Sequence, residues 1–187
     1  MPAGFKEWTL ICDALGSGSQ SLIIRKGGIA EGRAGFRFQH DEFLLFPTLF
    51  HEQVAKLKLP PETPLPVLRE DGQHVVDYRV RVEWTREVTD FSTVRRLAPF
   101  HLWQESEIHK RFIYEEEKGK TGVSVAFVRV EKFSEPFVVP HSPKYGGCRS
   151  WIQLPDMPAE ITCSLVLDHA THKMREVEIL KLLDSAD

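Results

Sequence analysis

Apolar and polar residues alternate most cleanly between Val76 and Trp84. Val76, Tyr78, Val80, Val82 and Trp84 hold the even positions, and Asp77, Arg79, Arg81 and Glu83 the odd ones. A period of two sends one set to the core side of a β-strand and leaves the other on a charged side. Residues 123–130 are almost wholly apolar, which predicts a central strand buried on both faces at its start. Residues 8–15 and 21–26 read as two strands around a Gly/Ser turn at 16–20, a β-hairpin. Further strand segments fall at 36–38 and 42–46, the second ended by Pro47, and a short returning strand falls at 150–154.

Helical signals lie between them. Thr48 is placed to cap a short helix over 49–57. Asp90 or Ser92 caps a helix that runs through Leu97 and is stopped by Pro99. Ser106 opens a longer helix with Ile108, Phe112 and Tyr114 inward. Residues 115–119 close it with an acidic last turn that opposes the helix dipole and favours fraying. Asp168 caps a final helix with Ala170, Met174, Val177, Leu180 and Leu183 on one apolar face. Residues 134–149 read as a long loop. Residues 59–66 carry four prolines. A surface loop there is preferred to a linker, because the preceding segment is small for a stable unit. These elements sum to an α+β fold: a mixed, mostly antiparallel sheet of about six strands, curled toward a barrel, with three or four helices. The chain is expected to form a single domain over 1–187, with the proline-rich surface loop at 59–67.

Composition narrows the classes. The 187 residues suit one domain and can bury a core without a disulfide or metal staple. With 42% hydrophobic and 27% charged residues the chain is too apolar to be disordered. The formal charge of −3, from 24 Lys and Arg against 27 Asp and Glu, argues against a general DNA coat or an anionic-membrane binder. The acids gather in 105–117 and the C-terminal third, so 25–37 and 79–96 stay locally basic. The start lacks a signal-peptide apolar stretch and no run approaches the roughly 18 apolar residues of a membrane span. A cytoplasmic protein with no membrane partner is therefore expected. Cys12, Cys148 and Cys163 show no C-x-x-C spacing, so no disulfide framework, zinc site or other metal is indicated, and no cofactor is expected.

Four groups of residues carry candidate chemistry. Arg25 and Lys26 precede Gly27 and Gly28, and cations beside open backbone amides can hold a phosphate. The same pattern fits a strand end with solvated charges, and neither phosphate-loop fingerprint is present. Arg79 and Arg81 share a strand face and could extend that basic patch, or pair with Asp77 and Glu83. His51, His101 and His141 sit in or beside loops with no metal-ligand spacing. The loop 140–151 concentrates reactive side chains. Cys148 beside Arg149 is a candidate nucleophile, with His141 or His101 as base. Tyr145 and Trp151 could stack on a flat ligand, or anchor a rigid turn to the core.

The segments 24–29 (Ile-Arg-Lys-Gly-Gly-Ile), 43–48 with His51 following, 99–103 (Pro-Phe-His-Leu-Trp) and 145–151 (Tyr-Gly-Gly-Cys-Arg-Ser-Trp) come in that order. Together they resemble an uncharacterised bacterial family, the domain of unknown function DUF1802, over most of the chain. The resemblance implies no activity. The strand at 123–130, followed by an acidic residue and a proline, is also similar in pattern to RNA-associated barrels of the PUA and ASCH type. The reading is a non-catalytic binding module for nucleic acid or a phosphate-bearing, nucleotide-like small molecule. Arg25, Lys26, Arg79, Arg81 and Arg149 would serve the anion, and Tyr145 and Trp151 the base. The alternatives are a small hydrolase or transferase using His51, His101, His141 or Cys148, and a structural or protein-interaction domain.

Overall fold

A computed structural model describes residues 1–26, 38–67, 72–114 and 121–185. β1 (Ala3–Trp8) runs straight into α1 (Thr9–Gly16), then β2 (Leu22–Arg25), β3 (Glu42–Thr48) and α2 (Gln53–Lys56). β4 (His74–Val88), α3 (Phe91–Arg96) and α4 (Glu105–Phe112) follow, then β5 (Val123–Val139), β6 (Trp151–Gln153), β7 (Cys163–Leu165) and α5 (His169–Asp184). The seven strands make one open sheet in the order β2-β5-β4-β3-β1-β6, with β7 also on β5. β1 and β3 run parallel and every other pairing is antiparallel. The α+β class therefore holds, with one strand more than expected and five α-helices among the described residues.

Both faces of the sheet are covered. One face joins Phe5, Phe43, Leu45, Val80 and Phe127 to α1, α3, α4 and α5 through Ile11, Val94, Ile108 and Ile179. The other face joins Leu44, Phe46, Val76, Phe133 and Phe137 to Tyr145, Ile152 and Leu154. Adjacent residues of β3 thus feed opposite cores, which is why 43–46 is continuously apolar.

Several expectations need correction. Residues 9–15 form α1 and not a strand, and β2 pairs with β5, so there is no hairpin. A short apolar run fits a buried helix as well as a strand. Here β1 takes β3 as a parallel neighbour, and a parallel pair requires a crossover connection. Pro47 lies within β3, and Thr48 Oγ1 donates to Glu7 O at 2.9 Å, pinning β3 to β1. The helix expected over 49–57 is the single turn α2, with Glu52 at its N-cap. β5 continues to Val139, so 134–139 is strand and pairs with the start of β4.

The alternation of β4 is broken by a bulge between Val76 and Tyr78. A one-residue slip exchanges faces. Val76 therefore lies in one core and Val80 in the other. α5 departs most. Its Asp168 cap accepts from Thr171 N at 2.9 Å as expected, but His172 and Ile179 face inward while Met174 and Val177 are exposed. The Asp90 cap of α3 and the inward Ile108 and Phe112 of α4 match the sequence reading. Gly27, Gly28, the segment 36–37 and the helix end at 115–119 lie outside the described residues.

Candidate functional site

Glu7, next to last in β1, is a buried carboxyl side chain. Its Oε1 accepts from Trp8 N at 2.8 Å and its Oε2 lies 3.7 Å from Arg25 Nη1. Arg25 reaches across the gap between the β2 edge and the other end of the sheet. Its Nη2 donates to Lys6 O at 2.8 Å and to Ser150 Oγ at 3.3 Å, and its guanidinium lies 4.5 Å over the Phe5 ring. A buried charge is tolerated only when paired and hydrogen-bonded, so Arg25 is held by the fold.

Lys26, the next residue, is exposed. Its Nζ sits 3.8 Å over the Tyr114 ring, and among the described residues it forms no ion pair. Arg111, from the last turn of α4, places its guanidinium 3.6 Å over Trp103 and 5.7 Å from Trp8, and the two indoles lie 4.6 Å apart. Its Nη1 donates to Glu107 O at 3.0 Å and stands 3.8 Å from Glu107 Oε2. Lys56 of α2 pairs with Glu52 at 3.1 Å and lies 5.0 Å over Phe50.

These cations feel one another. Burial lowers the Lys26 pKa, and Arg111, Arg25 and Lys56 lower it further against the pull of Glu107. Burial brings Arg111 down to about 10 in spite of Glu7 and Glu107, so it stays charged at neutral pH. Arg25, Lys26, Lys56 and Arg111 thus form a cationic cluster beside the partly exposed rings of Trp8, Phe50 and Tyr114. Trp103 lies beneath as a buried support.

Arg79 and Arg81 are placed differently. Arg79 Nε donates to Glu131 Oε2 at 2.6 Å, Arg81 Nε to Glu42 Oε1 at 2.8 Å, and Arg129 Nε to Glu83 Oε1 at 2.7 Å. Arg79 and Glu131 are direct cross-strand partners, as are Arg81 and Glu42. The row is a ladder of ion pairs over β3, β4 and β5, and it does not join Arg25 and Lys26.

The loop after β5 is divided. Tyr145 is buried against Phe46 and His74. Trp151 packs among Phe5, His40 and Phe43. Tyr145 is a core anchor and Trp151 a half-buried one, the second of the two roles the sequence offers these rings. Cys148 and Arg149 are exposed beside Lys6, whose Nζ donates to Gly147 O at 2.8 Å. Gly147 has φ +78°, a conformation that suits glycine. Ser150 is the point where this loop meets Arg25.

The reactive side chains do not converge. His51 is exposed beside Glu52 at 3.5 Å, and His141 stacks on His74 at 5.8 Å. His101 is buried, its Nδ1 accepts from Trp103 N at 3.1 Å, and burial with Lys58 and Arg111 brings its pKa to about 3. No contact joins any two of His51, His101, His141 and Cys148 among the described residues. None of those residues forms a group of three or more metal-ligating side chains.

Sequence reasoning missed Lys56 and Arg111. The signal for Arg111 was its i,i+3 spacing to Tyr114 on α4 and the nearby Trp103. It also missed a cavity of about 220 Å³ between α1, β3 and β4, lined by Thr9, Asp13, Leu45, His74, Asp77 and Tyr78. Burial raises the Asp13 pKa and Asp77 raises it further. Burial likewise raises Asp77, with Lys132 opposing. The Tyr78 ring closes over Gly16, where a side chain would collide with it. Asp77 read as a solvent-facing charge because the bulge beside it was invisible.

No helix among the described residues is long and apolar enough to cross a membrane. No protein of curated function matches the sequence. A crystal structure of a serine-to-alanine mutant of ZmASCH from Zymomonas mobilis is similar over 95% of this chain and 99% of that one, at 13% identity and a TM-score of 0.43. At that score the likeness transfers neither a site nor an activity. The profile of the family described as a domain of unknown function, DUF1802, matches residues 4–177, and the chain belongs to that family.

Proposed function

We propose that the protein is a non-catalytic module that binds a phosphate-bearing nucleotide or nucleic-acid segment at the cationic cluster of Arg25, Lys26, Lys56 and Arg111. The observation that carries this reading is Lys26: an exposed ammonium held over an aromatic ring, close to three other cations, with no carboxylate bound to it among the described residues. A cluster of like charges gains most from an anion, and the edges of Trp8, Phe50 and Tyr114 offer flat apolar surface for a base. Arg25 acts here as the residue that positions Lys26, since its own donors are engaged. Fluorescence anisotropy with short RNA, DNA and mononucleotides over a salt series tests the reading. Salt-sensitive binding weakened by Lys26→Ala and Lys56→Ala supports it. Absent or salt-insensitive binding to all three probes overturns it.

A hydrolase or transferase is the second reading, favoured by the Asp13–Asp77 cavity rather than by the histidines. Two neighbouring carboxylates with raised pKa values beside a tyrosine suit general acid–base chemistry. A turnover screen with Asp77→Asn as control tests it. Turnover that survives Asp77→Asn unchanged rejects this cavity as its seat.

A further inference from the structure

One apolar stripe of α5 is turned away from the molecule. Met174 is 71% exposed and Val177 39%. With Ala170 and Lys181 they form a stripe at i, i+4, i+7 and i+11, flanked by Lys173 on one side and Glu178 on the other, over a shallow surface depression. The opposite face, through His172 and Ile179, already holds the helix on its own core. A face patterned for burial but left uncovered marks an interaction surface.

The charges identify the occupant. In heptad terms Met174 and Lys181 fall at a, Ala170 and Val177 at d, Lys173 at g and Glu178 at e. The step from Lys173 to Glu178 is the g-to-e′ spacing that joins two parallel helices across a seam. We propose that α5 packs in parallel against α5 of a second copy of this chain, with Lys173 of each copy paired to the partner subunit's Glu178. The twofold axis makes the pair occur twice. An antiparallel arrangement sets each flank against its own kind and forfeits both pairs. Lys173 now bonds Glu176 of its own helix at 2.6 Å, so its ammonium is directed along the helix surface and can be shared across the seam. Lys181 at an a position is costly but favours a single register. Because α5 is folded before it pairs, a seam of two heptads does not bear the cost of helix nucleation.

Sedimentation equilibrium of the full chain over a wide concentration range is the test. The expected result is reversible dimerisation. Val177→Asp removes it, while far-UV circular dichroism stays unchanged because the position is exposed. Lys173→Glu and Glu178→Lys, separately, each place like charges across both pairs and raise Kd roughly tenfold. The double variant Lys173→Glu/Glu178→Lys restores the attraction and returns Kd to near the original. A chain that stays monomeric throughout overturns the proposal. So does a dimer indifferent to Val177→Asp, or a double variant no better than its singles. The charge reversals decide the matter even if Val177→Asp fails to fold.

Discussion

Two arginine-rich regions of this protein look alike in sequence and differ in kind. Across β3, β4 and β5, Arg79, Arg81 and Arg129 each meet a carboxylate on a neighbouring strand, at 2.6 to 2.8 Å. At the end of β1 and β2, Arg25, Lys26, Lys56 and Arg111 gather round Trp8, Trp103 and Tyr114, and among the described residues the exposed Lys26 has no acid bound to it. The difference lies in register. On the ladder, antiparallel pairing brings an acid of a neighbouring strand within reach of each arginine, directly opposite Arg79 and Arg81 and diagonally for Arg129. In the cationic cluster Arg25 meets Glu7, and Lys56 and Arg111 meet acids four positions away in their own chain segments, while Lys26, at a strand end, meets none among the described residues. Density of basic residues therefore does not mark a site, whereas a cation without a bound acid does.

The largest expected effect separates Arg25 from its neighbours. Arg25→Met leaves Glu7 buried without its cation and removes the link to Lys6 O and Ser150. Urea unfolding is expected to show a loss of about 3 kcal/mol. A loss below about 1 kcal/mol, the range of an exposed pair, would place Arg25 with the ladder instead.

His101 tests the same field from inside. Its proton is disfavoured by burial and by Lys58 and Arg111, which bring its pKa in the folded chain from the ordinary 6.5 down to about 3. A depressed pKa means that the unfolded chain binds more protons over that window. Its stabilising contribution is full above pH 6.5 and is lost as pH falls toward 3, at up to about 1.4 kcal/mol per pH unit. Unfolding midpoints between pH 7 and 4 should fall more steeply for the native chain than for His101→Gln. Parallel curves would show that the fold does not hold His101 neutral.

Ligand binding sharpens the contrast further. Lys26→Ala is expected to weaken a short oligonucleotide about tenfold and to reduce the salt slope by about one, as for a lost phosphate contact. The smallest effect belongs to the ladder. Arg81→Ala should cost about 0.5 kcal/mol and leave that affinity unchanged. A measured drop in affinity for Arg81→Ala equal to that for Lys26→Ala would dissolve the distinction between the two regions.

Much of this was visible in the residues. The Asp90 and Asp168 caps, the inward Ile108 and Phe112, the central strand from Val123 and the short strand at Trp151 follow from local chemistry. So does the location of Lys26 at the end of a strand. The errors arose where two local solutions were equally good. Residues 9–15 satisfy helix and strand alike, and β1 pairing with β3 chose between them. α5 carries apolar residues on more than one side, and packing against Phe127 and Trp84 selected His172 and Ile179 for the interior. Arg111 escaped notice because nothing along the chain links it to Lys26, more than eighty positions away.

What the sequence determined by itself is most of the strands and helices, the Asp90 and Asp168 caps, the α+β class and the membership in DUF1802. These depend on neighbours along the chain, whose separations are set by covalent geometry. Tertiary structure alone decided which charges are neutralised and which are left free. That depends on distances between strands and helices, and a single bulge at Val76–Tyr78 is enough to move Asp77 from a solvent face to a cavity wall.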